Sequence, residues 1–598
     1  MISLLLLVLV QAPPTWGGQI ALLVHEHCAR CHRPGEAGPF SLLSYEDAQK
    51  HARQIVAVTK SRYMPPWPPE PGHGDFVGGR RLSEAEVALI DRWFQAGIPA
   101  GPQHAQPRFT DGWQLGEPDL ILKMPQAFAL AADGGDVFRN FVIPVDVRQT
   151  RYVRAVELRP GNKRAVHHAN VVIDRARSLR AREGQDGLPG FAGMDVETES
   201  GDEFEPDSHF LFWKPGNAIQ PEPAGMSWRL DPGTDLVVNL HLQPTGKPES
   251  VQAVLGLYFD KEPPKHFPIL VQLEHDGAID IPPGARDVAI TDHFTLPVAA
   301  DLLAIYPHAH YIGKRIEAWA VLPGGRRMSL LKINAWDINW QASYTYRHAV
   351  ALPAGTRVSM RVAYDNTTSL RVRAGNRSVD EMGHVWLQLL PRQKIDRLKI
   401  HEAVMRRRLE KYPADFIAHY NLAAALQSAG RNADALPLFE KALSLRPASA
   451  PARNAFGAAL LVAGRPEDAI TQFRQVLAAQ PDYAASRFNL GRALAAQGDG
   501  DDAAVEWNAY LVQNPDDGRA HYLLGGLYAG AQKFAEALPH VRRAAELLPE
   551  DAEVQANLGT TLAISGDLIG AVRAWERALV LNPSDATTRA NLDRVRKR

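Results

Sequence analysis

The only two cysteines of the chain, Cys28 and Cys31, are separated by two residues, and His32 follows directly. A Cys-x-x-Cys-His segment reads as covalent haem attachment. Two thioethers grip the vinyl groups and the adjacent imidazole supplies an axial nitrogen. A redox dithiol or half of a zinc site uses the same residues, but zinc needs two more ligands nearby and no second cysteine pair exists. The reading is therefore one haem c on Cys28, Cys31 and His32. Met64, in Tyr63-Met64-Pro65-Pro66-Trp67, is the expected second axial ligand, with His51 and His73 as competitors.

The second group of chemistry-bearing residues is histidine-rich. His167 and His168 are adjacent, His241 lies in Val238-Asn239-Leu240-His241, His308 and His310 flank Ala309, and Met382 follows Asp380-Glu381. Taken alone, a strand histidine is more often a hydrogen-bonded structural group. His-x-His does place two imidazoles on one face of a strand, where they can converge on one metal. Two imidazoles with a thioether suit copper, because sulfur favours the reduced ion and imidazole accepts both oxidation states.

The elements that must position these residues fall into three textures. Around the cysteines, Tyr45 to Lys60 and Ser83 to Ala96 read as amphipathic helices closing a small all-α haem domain over 17–107, and the Pro- and Gln-rich stretch Pro99 to Pro107 marks its exit. From about Gly116 to Leu390, short alternating runs such as Tyr152 to Leu158, Asp235 to Leu242 and Thr356 to Tyr364 alternate with Pro-Gly turns. That is the pattern of antiparallel β-sandwiches. The length asks for two in tandem, of jelly-roll type, over 116–265 and 266–392.

The last third is periodic. Pro413, Pro447, Pro481, Pro515, Pro549 and Pro583 recur every 34 residues, with Gly457, Gly491, Gly525 and Gly559 in register. Gly430, Gly464, Gly498 and Gly566 mark the turns, where Gln532 is the exception. The period and the Asn489-Leu490-Gly491 and Asn557-Leu558-Gly559 segments resemble the tetratricopeptide repeat. The expectation is an all-α solenoid over 393–598, ending in a capping helix from Thr587, that docks a protein or peptide or packs on its own core.

Together the histidine motifs resemble the copper type II ascorbate-dependent monooxygenase family, which includes the peptidylglycine α-hydroxylating and dopamine β-monooxygenases. The resemblance covers roughly residues 116 to 390 and extends to Tyr364-Asp365 ahead of the Glu-Met segment. It implies one copper on His167, His168 and His241, and a second, catalytic copper on His308, His310 and Met382. It also implies two separate, unbridged coppers. The Met-bearing one meets dioxygen and a substrate C–H bond, and the three-His one stores and passes an electron. Two departures stand out. Eukaryotic members tie their sandwiches with disulfides, whereas here both cysteines belong to the haem segment. Where the peptidylglycine enzyme clamps a carboxylate with Arg, Asn and Tyr, this chain has Tyr306, His384 and Trp386. A phenol cannot replace the bidentate guanidinium, so a less charged, flatter or more apolar substrate is expected.

Charge is balanced, with 66 basic against 67 acidic residues, which gives no reason to expect nucleic acid as a partner. Ile2 to Val10 is an apolar run too short to span a bilayer as a helix. With residues 1–16 it reads as a signal peptide or an N-terminal anchor, implying export to the periplasm. The expected activity is an oxygen- and copper-dependent hydroxylase fed by its own haem. The competing reading is a non-catalytic electron-transfer or copper-binding protein that its repeats dock to a redox partner.

Overall fold

The computed structural model describes residues 12–109, 112–175, 177–194, 196, 198, 211–216 and 219–597. Most of the expected leader, residues 1–11, lies outside the described residues. Among the described residues, no helix is long and apolar enough to cross a membrane. The chain divides into two compact units, Met1–Lys411 and Tyr412–Arg598.

The first unit begins with a small helical bundle. Trp16, the last residue of the expected leader, is buried against Trp93, with ring centroids 6.2 Å apart. The helices Tyr45–Lys60 and Glu84–Gln95 run where their apolar periodicity places them. Each begins on a serine whose side chain accepts an orphan backbone N–H, and Ser83 forms a reciprocal capping box with Glu86. Ile20, Val24, Ala52, Ile55, Ile90 and Trp93 fill the core. The loop between the two helices leaves this bundle. It crosses onto the β region through isolated bridges Pro69–Ile333 and Phe76–Tyr346.

Two antiparallel sandwiches follow. The first pairs a five-stranded sheet (Phe191–Ala192, Val137–Pro144, Asp235–Leu242, Val166–Asp174, Phe212–Trp213) with a four-stranded one (Leu120–Lys123, Val254–Asp260, Arg151–Arg159, Trp228–Leu230). Phe141, Val171, Leu236 and Val238 of one sheet share a core with Leu122, Val153, Leu158 and Leu255 of the other. The second sandwich has two four-stranded sheets. One is Ile269–Glu274, Gly383–Pro391, Ala300–Ala309 and Tyr344–Leu352; the other is Val288–Thr295, Arg357–Tyr364, Gly313–Val321 and Arg327–Ile333.

The helix Lys394–Lys411 belongs to this first unit rather than to the repeats, so the expected boundary at 393 moves to 412. Ile400 enters the core of the second sandwich. Lys411 reaches Glu274 Oε1 at 2.6 Å and Asp292 Oδ2 at 3.1 Å. The helix takes its place through these charge pairs and through Ile400, with Ala403 and Val404 packed against the same core.

The second unit is five antiparallel helix pairs, from Phe416–Ser428 with Asn432–Leu445 to Ala552–Ile564 with Leu568–Leu581, closed by Ala586–Arg596. The repeated glycines allow close helix approach. A Cβ at Gly491 would lie 2.5 Å from Trp507 Nε1, and one at Gly559 2.5 Å from Trp575 Cδ1. Gln532, the exception among the turn glycines, adopts the same left-handed backbone, with φ of 60°.

Candidate metal centres

The first histidine group sits on neighbouring strands of the five-stranded sheet. Adjacent residues of a regular strand point to opposite faces, so His167 and His168 should part. They do not, because the register shifts between Val166 and His168 where this strand meets Asp235–Leu242. Such a bulge sets two residues against one partner and re-aims a side chain. Both rings then approach His241, with centroids 5.3 Å (His167) and 4.8 Å (His168) away.

His168 and His241 turn their Nδ1 atoms toward each other at 3.4 Å. His241 Nε2 is held at 2.7 Å by Asp136 Oδ2, and Phe138 stacks on the His241 ring at 4.1 Å. A carboxylate on one imidazole nitrogen leaves the other as the metal-binding atom. Burial and the neighbouring His241, His167 and His308 hold His168 well below the usual imidazole range. Against the opposing effect of burial, hydrogen bonds from His241 and Tyr311 bring the Asp136 carboxyl down to about 2.

The second group lies at the end of Ala300–Ala309 and on the segment entering Gly383–Pro391. His308 pairs with His384 and Ala309 with Gly383, which brings Met382 to the same end of the sheet as His310. Met382 is buried, and Tyr364 donates its hydroxyl to the Met382 carbonyl at 3.0 Å. The Glu381 side chain accepts the backbone N–H groups of His310, Met382 and Ile312, tying both ligand segments together.

One feature of this group points to a metal. His308 Nδ1 is engaged by Gln341 Oε1 at 2.6 Å and His310 Nδ1 by the Asp380 carbonyl at 2.9 Å. The Nε2 atoms of both rings are buried and have no hydrogen-bond partner. A buried nitrogen left unmatched costs free energy unless something accepts its lone pair. Burial also keeps both rings neutral, pulling His308 down to about 3 and His310 to about 4. Two neutral imidazoles with free lone pairs, at the end of the sheet where Met382 is buried, offer donor types that fit copper. Among the described residues, no three His, Cys, Asp or Glu side chains form a ready-made cage. The three imidazoles of the first group thus lie near one another without forming such a cage, while the donor set of the second group includes a thioether sulfur, which that description does not cover.

Residues 270–403 match the model of the copper type II ascorbate-dependent monooxygenase C-terminal domain. The chain carries that domain, and the match supports an oxidoreductase. The second unit matches tetratricopeptide repeat models over residues 415–482, 454–518, 507–552 and 522–586, which supports a protein or peptide partner. No curated protein matches the chain. Solved structures similar to it include YrrB, titled a TPR protein with an unusual peptide-binding site, at 22% identity, covering 32% of this chain and 99% of that one with a TM-score of 0.28. MamA of Desulfovibrio magneticus RS-1 is 22% identical over 29% of this chain and 97% of that one, with a TM-score of 0.27. PilF of Pseudomonas aeruginosa is 18% identical over 33% and 90%, with a TM-score of 0.31.

Where the copper domain departs from the carboxylate clamp, the structure is specific. Tyr306 Oη accepts from Gln341 Nε2, and its ring lies 5.7 Å from Phe212. His384 Nε2 bonds Asp276 Oδ2 at 2.8 Å. Trp386 pairs with Tyr306 across the strands.

The segment Cys28 to His32 lies at the end of the helix Ala21–His27. Both cysteines are free and half-buried, and burial pushes the Cys28 thiol up to about 12. His32 Nδ1 is held by the Phe40 carbonyl at 3.2 Å, which leaves Nε2 as the nitrogen suited to an axial bond. Two unlinked thiols one turn apart with an oriented imidazole fit covalent haem. The Phe40 ring that contacts His32 stacks on His51 at 3.7 Å, while Met64 is half-buried in the loop after the Tyr45–Lys60 helix. His73, the other competitor, bonds Ser329 Oγ through Nδ1 at 2.8 Å.

Residues 211–216 run from this segment to the first histidine group. A Cβ at Gly216 would meet Cys31 Sγ at 2.3 Å, Arg80 donates to the Gly216 carbonyl, and Phe212 stacks on His168 at 5.6 Å. Sequence reasoning missed Asp136, Gln341 and Arg80. Nothing local to them carries a signal. Glu381 stood in the quoted motif beside Met382, and its burial was the information lacking.

Proposed function

We propose that the protein is a copper- and dioxygen-dependent monooxygenase that hydroxylates a C–H bond of an organic substrate and draws electrons through a covalently bound haem c. The net reaction consumes a C–H bond, dioxygen, two electrons and two protons, and yields an alcohol and water. In this reading His308, His310 and Met382 hold the copper at which substrate and dioxygen meet. His167, His168 and His241 hold a second copper, and Cys28, Cys31 and His32, with Met64, hold the haem. When bound, the coppers supply dioxygen activation and electron storage, and the haem supplies single electrons.

The observation that carries the reading is the pair of buried, partnerless Nε2 atoms on His308 and His310, each with its Nδ1 already engaged. The chain's own residues do the rest. Gln341 and the Asp380 carbonyl set the tautomers, Glu381 holds the two ligand segments in register, and Tyr306 with Trp386 offers an uncharged, flat wall to a substrate. The 211–216 segment, which abuts Cys31 and stacks on His168 through Phe212, supports delivery of electrons to the three-His group. The apolar N-terminus and covalent haem support an exported, periplasmic protein.

The test follows haem absorbance in copper-loaded, pre-reduced protein mixed with oxygen. Fast haem reoxidation that is lost in His241→Ala supports the reading. Haem that stays reduced in the copper-loaded wild type contradicts electron supply through it. Two bound coppers with no substrate-dependent oxygen uptake would leave a non-catalytic electron-transfer protein.

A further inference from the structure

Several helix pairs of the second unit share a contact whose chemistry changes along the repeats. The side chain six residues after the repeated proline reaches back to that proline's carbonyl: Arg453 to Pro447 at 2.8 Å, Arg487 to Pro481 at 2.7 Å and Arg589 to Pro583 at 2.5 Å. Arg453 and Arg487 each donate a second N–H to the residue nineteen positions on, Gln472 Oε1 at 2.8 Å and Glu506 Oε2 at 3.0 Å. In the pair Gly518–Gly530 with Phe534–Leu547 both positions are histidine. His521 Nε2 meets the Pro515 carbonyl at 3.1 Å, and His521 Nδ1 stands 2.9 Å from His540 Nδ1. His419 makes the same contact with the Pro413 carbonyl at 3.0 Å, but Leu438 takes the place of His540 there.

A carbonyl only accepts, so His521 Nε2 carries the proton and His521 Nδ1 turns a lone pair toward His540. A metal-bound imidazole commonly donates its other N–H to a backbone carbonyl, and Pro515 already supplies that acceptor. Burial and the neighbouring His521 lower His540 from the usual imidazole range, which favours its neutral ring. Without an ion, His540 donates Nδ1–H to the His521 lone pair. Among the described residues nothing hydrogen-bonds His540 Nε2, so the proton can sit there instead and leave a second lone pair facing the first. Two imidazole nitrogens bound at right angles to one ion, each at about 2.0–2.1 Å, lie roughly 2.9 Å apart. That is the separation of the two Nδ1 atoms. Cis imidazoles suit a tetragonal divalent ion, and copper(II) stands highest in affinity for such donors. Both rings are half-buried rather than enclosed, so water can fill the remaining positions.

We infer that His521 and His540 form a copper(II) site between the two helices of this repeat, built from residues other than the histidine groups of the sandwiches and independent of the reading given for them. Two protein donors hold an ion less firmly than three, so the site fills under free copper(II) and empties on desalting. The test is equilibrium dialysis of the full-length protein against copper(II) alone. It is run beside a variant carrying His521→Arg and His540→Gln, which installs the Arg453–Gln472 pair of a sister repeat and so suits the fold, and beside His540→Gln alone. Wild type should bind one more copper(II) per chain than either variant. His419→Ala, which removes a lone imidazole from the same place in the first repeat, should bind as wild type does. Equal copper(II) in wild type and both His540 variants overturns the site. A loss in His419→Ala equal to that in His540→Gln overturns the pairing, since one imidazole would then suffice.

Discussion

Glu381 accepts the backbone N–H of His310 from the opposite side of the strand pair, 71 residues away in sequence. The same side chain takes the N–H of Met382 at 2.8 Å and of Ile312 at 3.2 Å, so one acceptor fixes both segments that carry the proposed copper ligands of the second group. Glu381→Ala leaves these buried donors unmatched. It should cost roughly 3 kcal/mol of stability and lower bound copper toward one per chain. Denaturant unfolding and metal analysis of the purified variant check this; a variant with full copper and wild-type stability would show the tie to be dispensable.

Asp136 plays the corresponding part in the first centre. Because it holds the His241 Nε2 proton, Asp136→Ala should weaken copper binding there by about 10- to 100-fold. The loss should appear in competition titrations, while the second centre still fills at saturating copper.

The buried imidazoles make the metal-free protein acid-sensitive. His308 and His310 titrate in the folded state at about 3 and about 4, lowered chiefly by burial. The unfolded chain protonates them near 6.5. Between these values the unfolded state binds more protons, so stability falls as pH drops from about 6.5 toward 4. Urea midpoints across that range should decline, and His308→Phe should make the decline shallower. An equally steep decline in the variant would place the acid sensitivity elsewhere.

In the repeats, Gln532 holds a left-handed backbone, with φ of 60°, at the turn where the other units use glycine. Such a backbone costs a residue with a Cβ about 1–2 kcal/mol, so Gln532→Gly should stabilise the second unit by roughly 1 kcal/mol. Thermal melts followed by circular dichroism would register the gain, with copper content unchanged.

Much of this arrangement is legible along the chain because it depends on period. The Tyr45–Lys60 helix, the Asp235–Leu242 strand and the repeat register follow from spacing alone. The candidate ligand histidines are visible as short motifs. What spacing cannot convey is how His167 and His168 come to share a partner, because a one-residue bulge leaves no mark in a strand pattern. The second layer is equally hidden. Asp136 meets His241 across 105 residues and Gln341 meets His308 across 33, and neither is flanked by a local motif. The Lys394–Lys411 helix read as part of the repeats because it is helical and polar. Its ion pairs with Glu274 and Asp292 are tertiary, and they place it with the sandwich.

The most direct test of the central claim is the copper and haem content of protein exported to the periplasm with copper supplied, measured beside His310→Ala. Two coppers and one haem per chain, with one copper and no haem lost in the variant, is the predicted result. Haem without copper in the wild type, or copper unaffected by His310→Ala, would contradict a copper centre on His308, His310 and Met382.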